Sequence, residues 1–309
     1  MPYLAVIIAM VIWAGSGIAV KAALLSLSPM ALILTRFSIA VLLMLAIGLA
    51  FRGNTLLGLQ RIDKKDLWLF LMGGFFQPFL YFILETYSYD SFSTPTLAEA
   101  FLSTNPLMAP LFAWLFLREK ITVYNILGIL VSTAGMLLLV LAGSGQMSLG
   151  NAWGIPLALL TVSTAVAYSI LLKKIPEKYN SLTIVFWGQL TGLCMFYLLS
   201  CMAYVITGMG VESSFLDLFR VTVTDCVLAE SVWGVSYLAV LSSVAAFILF
   251  CYSVRYLGVT GANIFNNIRP VFTALLMLII FGEKLPLLKW LGVLIVIVGL
   301  FLCQKQPKK

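Results

Sequence analysis

Residues 106–120 read PLMAPLFAWLFLREK, and residues 270–284 read PVFTALLMLIIFGEK. Pro106 and Pro270 define an offset that Glu119 and Glu283 repeat, as do Lys120 and Lys284. Further on, Gly128 with Gly292 and Gly135 with Gly299 keep the same spacing. Five identities in one register, two of them a Glu-Lys pair closing an apolar run, mark an internal duplication.

What surrounds these segments sets their solvent. Of 309 residues, 62% are hydrophobic, 10% are charged and none is His. Soluble domains run near ~45–50% apolar and ~25% charged. A water-soluble fold of this length exposes too much surface to hide so many apolar side chains, and disorder needs the opposite composition. The chain therefore has a lipid bilayer as its partner. A spanning helix needs about 20 mainly apolar residues. Charged and turn-rich stretches divide the sequence into ten such runs: 3–25, 29–51, 67–88, 96–117, 123–142, 153–172, 181–206, 232–254, 260–281 and 287–303. Backbone groups in hydrocarbon must be satisfied internally, so the runs are helices, and they are too long for barrel strands. The first run lacks a basic leader and reads as a helix of the fold rather than a cleaved signal.

The duplicated unit holds five runs, an odd number, so its two copies enter the membrane from opposite sides. The expected fold is an all-α integral membrane protein of ten transmembrane helices in two inverted-topology repeats, residues 1–143 and 150–304. Such repeats place substrate sites near the midplane between the halves. A long connection, residues 207–231, lies within the second repeat, where Phe215, Leu218 and Phe219 suit an amphipathic turn on the outer surface. With the N-terminus inside, thirteen Lys and Arg residues lie on the inner side, and only Arg220, Lys284 and Lys289 lie outside. That bias sets both termini in the cytoplasm of a bacterial inner membrane. The net charge of +7 is thus a topology signal and not a nucleic-acid footprint.

Lack of His removes the Ser/His/Asp triad, the Cys/His dyad and His-ligated metals. The five cysteines form no CxxC pair and read as packing residues, and no metal or other cofactor is called for. Without a nucleotide-binding loop, movement of a solute must draw on gradients. A secondary transporter is the leading class, and a non-transporting membrane protein or intramembrane enzyme is the rival that leaves the duplication unexplained.

Trp13-Ala14-Gly15 followed by Lys21, Arg36-Phe37, and the Pro…Glu-Lys ends of the fourth and ninth runs together resemble the drug/metabolite transporter superfamily, and most closely its EamA-type bacterial members. The resemblance covers the whole chain. It implies export of amino acids or other small polar or amphipathic metabolites through a central cavity between the halves. Small four-helix members of that superfamily carry a Glu in their first helix. The first and sixth runs here have no carboxylate, so that proton–drug exchange does not carry over.

An ionised group at the bilayer centre costs roughly 2.5–3.5 kcal/mol on insertion scales. Five residues invite explanation: Lys21, Arg36, Glu85, Glu99 and Arg269. The first four share the outer half. They either pair with one another or line a vestibule in which a carboxylate exchanges a proton. Arg269 lies near the midplane, repeat-equivalent to Asn105, and each precedes a proline. It suits a substrate carboxylate or phosphate. Asn263, Asn266 and Asn267 fall on one helical face, and Gln77, Tyr81 and Glu85 recur every four residues. Trp13 is too deep for an interfacial anchor and reads as a cavity wall, with Tyr168 a further candidate. Trp68, Trp153, Trp233 and Trp290 read as interface anchors. The alternative substrate class is a cationic lipophilic drug recognised by Glu85 or Glu99.

Overall fold

The computed structural model describes residues 1–55, 57–92, 101–102, 105–118, 121–141, 151, 153–207, 229–281 and 287–304. These residues are helices and their connections, and none of them is in a strand. The helices are α1 (Pro2–Leu24), α2 (Pro29–Ala50), α3 (Leu67–Gly74), α4 (Tyr81–Ser91), α5 (Asn105–Leu117) and α6 (Val123–Leu141). The second half holds α7 (Gly154–Lys174), α8 (Ser181–Thr207), α9 (Ala229–Ser236), α10 (Phe247–Asn263), α11 (Arg269–Phe281) and α12 (Leu287–Gln304). Two π-helical segments, Phe75–Leu80 and Tyr237–Ala246, join α3 to α4 and α9 to α10, and a 3₁₀ turn, Ile264–Ile268, joins α10 to α11.

Six stretches among the described residues are long and apolar enough to cross a membrane: Pro2–Leu24, Pro29–Ala50, Leu67–Ser91, Gly154–Lys174, Ser181–Met202 and Ser231–Thr273. Shorter apolar helices occupy Met108–Leu117, Val123–Gly135 and Trp290–Gly299. At ~1.5 Å per residue, the 43 residues of Ser231–Thr273 would extend about 65 Å, twice the hydrocarbon thickness. They do not run straight: Gly258 has φ +77°, a left-handed backbone that a side chain would oppose, and the helix is broken there. The seventh connection, over residues 208–228, and the Glu119-Lys120 and Glu283-Lys284 pairs lie outside the described residues.

Element starts recur at two spacings. Pro2 and Gly154 open α1 and α7, and Pro29 and Ser181 open α2 and α8; these two pairs share one offset. Asn105 and Arg269 open α5 and α11, and Val123 and Leu287 open α6 and α12; these share a longer offset, the one that relates Pro106 to Pro270. The difference accrues after Ser181: α8 runs 27 residues where α2 runs 22, and the connection that follows is longer as well. Caps recur as well. The Ser28 hydroxyl accepts from the Ala31 amide, and at the shorter offset the Asn180 side-chain Oδ1 accepts from the Thr183 amide. The π segment Phe75–Leu80, displaced by the longer offset, falls inside Tyr237–Ala246. The spacing read from the Pro…Glu-Lys segments therefore describes only the third element onward.

The third run, expected as one continuous helix, is broken at its middle. Pro78 supplies no amide hydrogen, and Gln77 before it takes extended angles (φ −151°, ψ 113°). The halves interlock: α1 packs on α9, Tyr237–Ala246, α10 and α11, α7 packs on α4 and α5, α2 meets α8, and α6 lies along α12. Leu4, Leu42, Trp68, Leu130, Trp153, Leu160, Trp233, Trp290 and Leu294 are exposed, as a lipid-facing surface requires.

Candidate functional site

The Trp13-Ala14-Gly15 motif is a crossing point. Trp13 Nε1 donates to the Ser242 carbonyl at 3.2 Å, and the Ala14 carbonyl accepts from the Thr273 hydroxyl at 2.9 Å. Gly15 lets the Tyr237 ring pass, whose hydroxyl reaches the Ile12 carbonyl at 2.7 Å. The Trp13 ring meets Phe247 and Phe250 with centroids 5.2 and 5.1 Å away.

Around that tryptophan lies a buried polar cavity. From the first half, Trp13, Ser16, Arg36, Gln77, Tyr81, Phe82 and Glu85 line it; from the second, Ala165, Ser169, Ser242, Phe247, Phe250, Asn263, Asn266 and Arg269. Open space is about 30 Å³, room for one or two waters. Gln77, Tyr81 and Glu85 share one wall across the break in the third run, with Tyr81 donating to Glu85 Oε1 at 2.8 Å. Arg269 is 3% exposed, its guanidinium 6.0 Å from the Trp13 ring centre.

The three amides do not share one wall. Asn263 and Asn266 line the cavity with Arg269, while Asn267 donates across to the Ser132 hydroxyl of α6. The 3₁₀ turn is the cause: three residues per turn put positions 263, 266 and 269 on one face and rotate 267 away. Inside the cavity, Asn266 Nδ2 donates to the Asn263 carbonyl at 3.0 Å and Asn263 Nδ2 to the Val259 carbonyl at 2.9 Å.

The charges expected in the outer half separate in role. Lys21 donates to the Phe92 carbonyl at 3.0 Å and stays out of the cavity. Arg36, 3% exposed, donates from Nε to the Ser243 hydroxyl at 2.6 Å and from Nη2 to the Ser242 hydroxyl at 3.0 Å, its guanidinium 4.3 Å from the Phe82 ring centre. Glu99 and the side chain of Asn105 lie outside the described residues. Tyr168 is buried against Phe247 beside the cavity, which α7 lines with Ala165 and Ser169. Ser242 and Ser243 escaped the sequence reading. Their signal was a pair of hydroxyls in the middle of the apolar VLSSVAA, residues 240–246. A larger groove of about 680 Å³ opens between α1 and α10, lined in part by the exposed Leu4, Ile8 and Tyr256, and shares no residue with the polar cavity.

A second polar cluster ties the two halves together near helix ends. Lys178 bridges Asp63 and, at 2.8 Å, Asp66. Tyr179 donates to Asp66 at 2.9 Å and accepts from the Asp63 amide at 3.0 Å, and Arg255 donates to the Tyr179 carbonyl. Gln60 adds two bonds: its Oε1 accepts from the Asn180 backbone amide at 2.7 Å, and its Nε2 donates to the Lys178 carbonyl at 3.0 Å. The bond from Lys178 holds the Asp66 carboxyl below the usual carboxylate range, and Asp63 and then Asp66 raise the Lys178 ammonium.

The EamA-like transporter family model matches this chain twice, over residues 1–141 and 152–303. A Bacillus subtilis (strain 168) relative named "Uncharacterized transporter YetK" is 27% identical over 256 residues, 81% of this chain and 72% of its own. An Archaeoglobus fulgidus relative named "Uncharacterized transporter" is 24% identical over 294 residues, 95% of each chain. A solved crystal structure matches with a TM-score of 0.73 over 98% of this chain and 97% of the other, at 17% identity, which speaks to the fold alone. The protein is an integral membrane transporter of the drug/metabolite type, and the chain belongs to the EamA-like transporter family.

Proposed function

We propose that the protein exports a small polar or amphipathic metabolite with an acidic group, an amino acid or a derivative of one, by alternating access of two inverted five-helix repeats (residues 1–143 and 150–304). One observation carries this reading: the buried Arg269 shares a cavity with the Glu85–Tyr81 pair and an aromatic wall of Trp13, Phe247 and Phe250. A guanidinium receives a carboxylate in bidentate fashion, and a carboxylate receives an ammonium, so the two ends match an α-amino acid. Asn263, Asn266 and Gln77 supply amides, and Asn105 is assigned to the same site by its repeat equivalence to Arg269. Asn267 supports it through Ser132.

Ten crossings are the reading of the six long and three shorter apolar helices together with the recurrence of element starts. The inner-membrane location and cytoplasmic termini rest on the thirteen-to-three charge bias. Family and relatives point to transport and not to catalysis. Should protons drive the cycle, Glu85 is the cavity carboxylate that carries them, and Glu99 of the fourth run is the second carboxylate the sequence offers. Export of cationic drugs is the second reading, favoured by the aromatic rings around Glu85.

The test is uptake of amino acids into inside-out vesicles. Arg269→Ala, in protein with unchanged expression and melting, should abolish uptake of acidic and zwitterionic substrates. Unchanged uptake removes Arg269 from the site, and retained uptake of lipophilic cations alone selects the second reading.

A further inference from the structure

We propose that Arg36 is a lock that substrate opens: its guanidinium holds the π segment Tyr237–Ala246 through Ser242 and Ser243, and the acidic group of the substrate, received by Arg269 and Arg36 together in the one cavity they line, draws it off them. The inference rests on the reading that an acidic metabolite enters this cavity. It adds the residue that couples binding to movement.

The acceptors are the first argument. Arg36 is buried, yet both of its hydrogen-bond partners are neutral hydroxyls, and among the described residues no carboxylate lies within 4.0 Å of its guanidinium. A carboxylate is the stronger acceptor and takes two parallel N–H bonds, so an arriving substrate acid out-competes the serines. The serines in turn have somewhere to go. Thr161, Ser169 and Ser253 each donate to the carbonyl four residues back in their own helix. In α-helical register, Ser242 and Ser243 have the same option onto Leu238 and Ala239. The segment thus has two satisfied arrangements, which a switch requires.

Its reach is the second argument. The Ser242 carbonyl accepts from Trp13 of α1, and the Ser243 carbonyl accepts from Gln189 Nε2 of α8. With Arg36 of α2, one segment holds three helices at the cavity wall. Room for one or two waters admits no metabolite until a lining side chain moves, and Arg36 lines the cavity.

Comparison of the halves is the third. By the longer repeat offset Ser242 corresponds to Pro78, and by the shorter one Arg36 corresponds to Gly188. A proline breaks the helix permanently because it has no N–H to restore. A serine held by an arginine breaks it only while the arginine stays. The first-half segment is therefore fixed and the second-half segment switchable.

Amide exchange read by mass spectrometry on the full chain in lipid nanodiscs tests this. Exchange over residues 237–246 should rise about tenfold or more in Arg36→Gln and in the Ser242→Ala/Ser243→Ala double variant, with residues 75–80 unchanged as the internal comparison. Ser242→Thr/Ser243→Thr, which keeps both hydroxyls, should return to the wild-type rate. L-glutamate, L-phenylalanine and inorganic phosphate are then added singly. A compound that raises the wild-type melting temperature should also speed exchange at 237–246, and should leave the already fast alanine variant unchanged there. Equal exchange in wild type and alanine variant overturns the lock, as does a threonine variant as fast as the alanine one. A stabilising compound that slows exchange at 237–246 overturns the trigger. If none of the three stabilises the protein, the acidic-substrate reading and the trigger built on it fall together, and the variants alone decide the lock.

Discussion

Gly299→Ala strikes the seam between α6 and α12 at its tightest point. A Cβ on Gly299 would run into the Ser132 nitrogen and lie 2.7 Å from both the Gly128 carbonyl oxygen and the Ser132 Cα. Ordinary contact begins at 3.4 Å, so the two helices must part by roughly 1 Å to admit one methyl. All three obstacles are backbone, and no side-chain rotation relieves them. A radial gap of that size forfeits about a quarter to a half of the dispersion attraction between facing atoms. Between membrane helices that attraction is the main adhesive, since lipid offers no hydrophobic gain. Overpacking of this kind costs about 1–3 kcal/mol, a fall of several degrees in melting temperature. The mirror substitution sits on the same seam: a Cβ on Gly135 would lie 2.6 Å from the Val296 nitrogen and 2.8 Å from the Gly292 carbonyl oxygen. Because the first methyl already parts the helices, Gly135→Ala/Gly299→Ala should cost less than the two singles added together. Thermal unfolding of the four proteins in one detergent measures this. A Gly299→Ala protein that melts with wild type, or strict additivity in the double variant, would refute backbone-to-backbone packing here.

Gly15→Ala places its Cβ 2.5 Å from the Tyr237 hydroxyl and should push that group off the Ile12 carbonyl. Tyr237→Phe removes the obstacle, so the double variant should be more stable than the singles predict, by about 0.5 kcal/mol or more in a thermal double-mutant cycle. Trp13→Phe keeps a ring against Phe247 and Phe250 but leaves the Ser242 carbonyl without its indole donor; the expected loss is about 1–3 kcal/mol in the same assay. The Lys178 clasp has a pH window. Asp66, with its pKa lowered by folding, stabilises above the ordinary carboxylate range and loses that effect as pH falls through its depressed value. Lys178, with its pKa raised, stabilises below the ordinary lysine range and loses the effect as pH rises through its elevated one. The melting difference between wild type and Lys178→Met should therefore hold constant from about pH 5 to pH 9 and shrink below about pH 4. A difference that varies across the neutral range would place the clasp's energy elsewhere.

What the sequence made legible, and what it did not, divides along a physical line. Composition places apolar runs, and duplication relates them, because both depend only on residue type and count. Arg36, Glu85, Gln77, Tyr81 and Arg269 were findable as polar side chains in hydrocarbon, and all five line one cavity. Side-chain direction depends on the turn beneath it, and here the backbone leaves the 3.6-residue repeat at three places around that cavity. At Ile264–Ile268 the tighter turn moves Asn267 from the cavity to Ser132 and keeps Arg269 with Asn263. At Phe75–Leu80 a proline betrays the break, so it was open to inspection at Pro78. At Tyr237–Ala246 nothing in YLAVLSSVAA forbids an α-helix. The wider turn persists where Trp13, Gln189 and Arg36, distant in sequence, converge on Ser242 and Ser243. A break written by local sequence is fixed in every state of the protein. One written by tertiary contacts lasts only as long as they do, so the least legible element of the chain is the one best suited to change when a substrate binds.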